Sequence, residues 1–201
     1  MPTEQFSWIT ADVEEPTVPE VPEEDIEEIE VTGPTEPDPD IPAPDVVDQL
    51  PTRPAPSLRA GRHWYLSAHG GAGASTLAAL DERGADAGGT WPINGEGQSV
   101  VVVARETVPG LLAAATAGTQ WRALGLPGVK VIALVTIPAQ PGKPSMEIAR
   151  QMKITAGVFP RHYRTEWHPP FMDHETPTDA APNKRGEKII RTIQKISTKE
   201  G

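Results

Sequence analysis

The chain has 201 residues, no cysteine and a formal net charge of −10. Without cysteine it has no disulfide framework and no thiolate-held zinc or iron–sulfur centre. Without an apolar run of about 18 residues it has no candidate transmembrane helix. The charge is divided unevenly: residues 1–60 carry 16 acids and 2 arginines, a net of −14, and residues 61–201 carry 12 acids and 16 Lys or Arg, a net of +4.

Residues 1–60 hold 12 of the 23 prolines and the acidic run VPEEDIEEIEV. Such a segment buries too little apolar surface to offset its ordering entropy, and it is expected to be a disordered acidic arm. Phe6 and Trp8, and Ile26, Ile29 and Val31 among acids, interrupt it. Each cluster is either a short protein-binding motif that orders on contact or a few apolar residues in a solvating tail. The N-terminal stretch lacks a basic region followed by an apolar one, so it does not read as a secretory signal, and a cytoplasmic location is expected.

Order is expected from residue 61. His63–Ala68 (HWYLSA) reads as a strand, and HGGAGAST follows it. A short helix covers Ser75–Leu80 and is stopped by Gly84. Residues 84–98, rich in Gly with Asp, Asn and Pro, read as a loop around Trp91-Pro92. Ser99–Ala104 (SVVVVA) is continuous and apolar, as in a strand buried on both faces. Thr107–Leu124 reads as a helix with Pro109 in its first turn. Lys130–Ile137 is a second buried strand, and Pro144–Ala156 a helix. An extended piece lies near His162–Trp167, and a proline-rich linker covers 171–183. The last helix, in 184–201, is basic. The alternation implies an α/β domain over 61–170 with a mostly parallel sheet in three layers, because parallel neighbours need crossover connections.

The stretch from His69 to Thr76 carries the chemistry. Glycines let backbone N–H groups curl around phosphates, and a hydroxyl can hold magnesium. The candidate phosphate-binding positions are Gly70, Gly71, Ala72, Gly73, Ala74, Ser75 and Thr76, with Arg105 at the end of the next buried strand, where ligands approach open α/β sheets. This stretch resembles the deviant phosphate loop of MinD/ParA-type ATPases, K-G-G-x-G-K-[ST]-[ST]. His69 and Ala74 stand where that pattern has lysines. VVVVARETVPGLLAAATAG, KVIALVTIPAQPG and AGVFPRHYRTEWHPP resemble later segments of that family. The resemblance implies a P-loop NTPase-like topology, reduced in size, with ATP and magnesium as ligands. HGGAGAST, a central Trp-Pro, VVVVAR, Gln-Trp and a late Trp-x-x-Pro are also similar to an uncharacterised family of small proteins on mobile or conjugative elements of high-GC bacteria.

Two parts of an ATPase are missing. A phosphate-facing ammonium is worth about 1.5–3 kcal/mol, so its loss costs roughly one to two decades of affinity and more in catalysis. SVVVVA also contains no acid for water or magnesium. Arg105 or Lys143 either supplies the missing charge, or Arg105 forms an ordinary ion pair with Glu106 or another acid. These losses argue against hydrolysis, and no catalytic residue is assigned. His162, His168 and His174, with Glu166 and Asp173, recur at a spacing that suits no single helical face, so no metal site is assigned. Ser67 and Ser75 lack a hydrolase context. Trp64, Trp91, Trp121 and Trp167 read as packing residues.

The sequence therefore supports three readings. One is a degenerate, non-hydrolysing interaction or accessory module serving a partner ATPase or a plasmid, conjugation or secretion machine. Another is an ATP-binding switch with little or no turnover. The third is a membrane- or nucleic-acid-associated factor acting through Lys184, Arg185, Lys188, Arg191 and Lys195, unless that helix merely packs its isoleucines on the body and solvates its cations.

Overall fold

The computed structural model describes residues 33–169 and 183–200. In chain order these form β1 (Thr52–Pro54), β2 (His63–Ser67), α1 (Ala74–Leu80), β3 (Gly84–Gly88), β4 (Trp91–Ile93), β5 (Gln98–Arg105), α2 (Val108–Leu124), β6 (Val129–Ile137), α3 (Met146–Ala156), β7 (His162–Arg164) and α4 (Lys184–Glu200). The main sheet has the order β3-β2-β5-β6-β7, and every pairing in it is parallel. The chain is thus an α/β protein with a parallel sheet.

Strand periodicity sorts the core. Trp64, Leu66, Val100, Val102 and Ala104 share one cluster with Ala114, Ala117 and Trp121 of α2. Tyr65, Val101 and Val103, one residue out of phase, meet Ala74 and Leu77 of α1 and Ile189 and Ile193 of α4. Successive strand side chains point to opposite faces, so α2 covers one face and α1 with α4 the other. Two helix starts are capped by side chains: Thr107 Oγ1 accepts from Gly110 N–H and Ser145 Oγ from Ile148 N–H.

Two expectations need correction. Residues 84–98 are not a loop throughout, because they contain β3 and β4. Glycine hides the first from propensity, yet Gly84 is required: a Cβ there would lie 2.6 Å from the Tyr65 ring. The disorder expected of residues 1–60 also does not extend over 33–60. Residues 33–60 run along the body as a strap, with a 3-10 turn at Val46–Asp48 and β1 paired in parallel to β4. Asp38 N–H donates to Arg122 O at 2.8 Å, and its carboxylate lies 3.2 Å from the Arg122 guanidinium. Leu50, Ala55 and Leu58 pack against the α2-side core. Proline permits this extended path, and a few apolar anchors with side-chain clamps replace a continuous apolar run. The arm's Phe6, Trp8, Ile26 and Ile29, and the linker's 171–182 with Asp173 and His174, lie outside the described residues.

Candidate functional site

The glycine loop joins β2 to α1 as expected. Gly71 and Gly73 have φ of 74° and 100°, the left-handed region that favours glycine. At Gly73 a Cβ would also meet Ile137 Cδ1 at 2.5 Å. Gly70, Gly71 and Ser75 are exposed and Thr76 is half-buried. Ala72 and Ala74 are different: both are fully buried within the α1/α4-side core. The position that carries lysine in the resembling loops here contributes a methyl group to the core.

His69 is a fastener. Its Nε2 accepts Arg105 N–H at 3.1 Å, which leaves Nδ1–H to donate to Gly70 O at 2.9 Å. Gly110, in the first turn of α2, leaves room for the ring, since a Cβ there would stand 2.7 Å from Nε2. The loop, the end of β5 and the start of α2 are thereby held together.

The strand ends carry an acid that the strand itself lacks. Glu106, 3% exposed, is ion-paired with Arg164, whose Nη2 donates to Oε2 at 2.9 Å and whose Nε lies 2.8 Å from Oε1. Thr136 Oγ1 donates to Glu106 Oε1 at 3.2 Å and lies 2.9 Å from His162 Nε2. An Nε2–H tautomer of His162 satisfies the whole chain from ring to hydroxyl to carboxylate. Burial and then the Arg164 charge lower the His162 pKa to about 4, so the ring is neutral near pH 7. The alternative in which Arg105 pairs with Glu106 is corrected: Arg164 takes that carboxylate, and Arg105 has no ion-pair partner among the described residues.

Arg105 instead lines a cavity of about 130 Å³ at the C-terminal ends of β5 and β6, together with Gly73, Thr76, Ile137, Trp167 and Ile190. Sites for drug-sized ligands span roughly 300–1,000 Å³. This cavity is smaller, and Asn183 and Gly186 at the start of α4 stand on its wall. The structure thus brings Gly73, Thr76 and Arg105 together, directs Ala72 and Ala74 into the core, and leaves Gly70, Gly71 and Ser75 open to solvent. Lys143 lies exposed in the turn after β6 and does not line the cavity.

The terminal helix packs its isoleucines on the body and leaves cations on its outer side. Ile189, Ile190 and Ile193 are buried, whereas Lys184, Lys188, Arg191 and Lys195 are exposed. Arg185 donates to Arg164 O at 2.9 Å. Among the described residues no group of three His, Asp or Glu converges to hold a metal ion, and no helix is long and apolar enough to cross a membrane.

Two polar clusters escaped the sequence reading. Asp81 accepts Tyr65 O–H at 2.9 Å, Gln194 Nε2–H at 2.6 Å and Arg83 N–H at 2.9 Å, and lies 3.0 Å from His63 Nε2. Burial raises its pKa, but His63, Gln194 and the Arg83 N–H outweigh burial and bring it to about 2. The hint was an acid at a helix C-terminus, where the helix dipole disfavours it. Gln120 is the other centre. Its Oε1 accepts Leu50 N–H at 3.0 Å and Trp91 Nε1–H at 2.9 Å, and its Nε2 donates to Leu50 O at 2.8 Å.

Residues 62–188 match a family model described as a family of unknown function (DUF6668). No curated protein and no solved structure matches the chain.

Proposed function

The chain belongs to that family of unknown function, and we propose that it is a non-hydrolysing interaction module built on a degenerate P-loop, serving a partner ATPase or a plasmid, conjugation or secretion machine. The observation that carries this reading is Ala74, fully buried in the core at the lysine position of the resembling loop. The acid at the strand end supports it, because Glu106 is already committed to Arg164 and Thr136. A carboxylate so engaged is a poor holder of magnesium or water. The small cavity beside Gly73 points the same way. The MinD/ParA-like ancestry and the mobile-element setting rest on the resemblance of HGGAGAST and of the Trp-Pro and Gln-Trp pairs.

Calorimetry of the full chain with ATP, ADP and GTP plus magnesium tests this. The expected result is no binding at about 1 mM nucleotide, a free energy under roughly 4 kcal/mol. One observation favours a second reading, an ATP-binding switch: Arg105 is unpaired among the described residues and faces the loop. That reading requires a nucleotide complex which Arg105→Ala weakens at least about tenfold, the loss of one charge-assisted bond. The exposed cations of α4 favour attraction to anionic membranes or nucleic acid as a third. It requires retention on anionic liposomes or DNA at low salt that Lys188→Glu with Lys195→Glu abolishes.

A further inference from the structure

Helix α3 is poorly covered for an amphipathic helix. Of its eleven residues only Thr155 and Ala156 are buried. Met146 is 90% exposed and Ile154 56% exposed. Helical spacing puts them on one side with Arg150 and Lys153, both exposed and without an ion-pair partner among the described residues. The face is therefore apolar and cationic, with Glu147 its one acid.

The path of the strap leads toward this face. Traced backward, the chain passes Arg122 at Asp38, then lines a cavity with Lys130 and Arg161 at Thr35 and Glu36. At Gly33 it reaches the turn that ends α3, where a Cβ would meet Phe159 O at 1.9 Å and Gly157 O at 3.3 Å. The preceding 32 residues carry 11 acids and no Lys, Arg or His. Their last stretch, DIEEIEV at Asp25–Val31, sets Ile26, Ile29 and Val31 among carboxylates. Extended, seven residues span about 23 Å, and an eleven-residue helix is about 16 Å long. A single residue, Thr32, separates this stretch from the anchored Gly33.

We propose that Asp25–Val31 docks in cis on the exposed face of α3, its apolar side chains covering Met146 and Ile154 and its carboxylates facing Arg150 and Lys153. The tether holds the segment at an effective concentration in the millimolar range, so a contact too weak to form between separate molecules forms within one. A partner for α3 then has to displace the acidic segment.

The cysteine-free chain allows a direct test. Glu27→Cys is combined with Ala149→Cys on α3, or with Lys188→Cys on α4 as a comparator on an exposed basic helix. Each full-length pair is treated with a short bismaleimide at low protein concentration. Intramolecular cross-linking is expected at least roughly tenfold faster at Ala149→Cys than at Lys188→Cys, as a locally raised concentration requires. Adding Arg150→Glu and Lys153→Glu, or raising salt to about 0.5 M, is expected to cut the α3 rate severalfold. Equal rates at the two helices, a faster rate at α4, mainly intermolecular dimers, or an α3 rate indifferent to charge reversal each overturns the proposal.

Discussion

Gln120 satisfies three polar groups from two distant segments with one side chain, joining the strap, Trp91 and α2. Replacing it with alanine leaves buried donors and an acceptor unpaired, a cost of about 2–4 kcal/mol. Gln120→Ala is expected to lower the unfolding free energy obtained from urea titration by that amount and to open residues 33–60 to proteolysis. Arg164→Leu strands the Glu106 carboxylate in the core and should cost about 3–5 kcal/mol in the same measurement. His162 makes stability depend on pH. Its unfolded pKa is near 6.5 and its folded pKa about 4, so the unfolded chain binds the extra proton between them. That stability is complete above about pH 6.5 and falls as pH drops toward 4, by up to about 3 kcal/mol. His162→Gln should flatten this part of the pH profile. Asp81 adds a second loss below it, between about pH 4 and pH 2, because its carboxylate is the stabilised form. The glycine spacing was legible in the sequence because backbone geometry dictates it. That Ala74 fills core space and that Glu106 faces Arg164 was not, since both depend on residues brought together across strands.

Among the elements, the apolar strands β5 and β6 and the capped helices α2 and α3 announce themselves. Continuous valines, Thr107 before Pro109 and Ser145 before Met146 leave few alternatives. Strands β3 and β4 do not, because GADAG is built of weak strand formers and WPI is three residues long with a proline at its centre, so both are specified by their partners, the Tyr65 strand and the strap. The strap itself hides behind its proline and acid content. Helix α4 shows why a deletion is a poor probe of its surface: Ile193 is fully exposed to core atoms and not to water. Ile193→Ala is expected to cost about 2–5 kcal/mol, measured by thermal or urea unfolding. Removing residues 184–201 would open the same core and should unfold the body. Charge reversal at Lys188 and Lys195 leaves the buried stripe intact, so it isolates what the cationic face contributes. The Trp-Pro and Gln-Trp pairs noted in the sequence gain a physical role, since Trp91 meets Gln120 and Trp121 Nε1–H donates to Val129 O at 3.2 Å.

At the scale of the molecule, the parallel sheet places the loop, Arg105 and the Glu106 network at the C-terminal strand ends, where α/β proteins bind ligands. In this chain those parts are joined mainly to one another. His69 fastens the loop to β5, Ala74 packs into the core, Arg164 holds the acid, and α4 lines the remaining cavity. We propose that the loop serves the fold and not catalysis. Steady-state phosphate release from ATP with magnesium, compared between the full chain and its Gly73→Val variant, tests it most directly. No release above the protein-free rate is expected for either protein, while Gly73→Val lowers the melting temperature because its Cβ strikes Ile137 and its φ is left-handed. Phosphate release by the unaltered chain that Gly73→Val abolishes while the fold persists would contradict it.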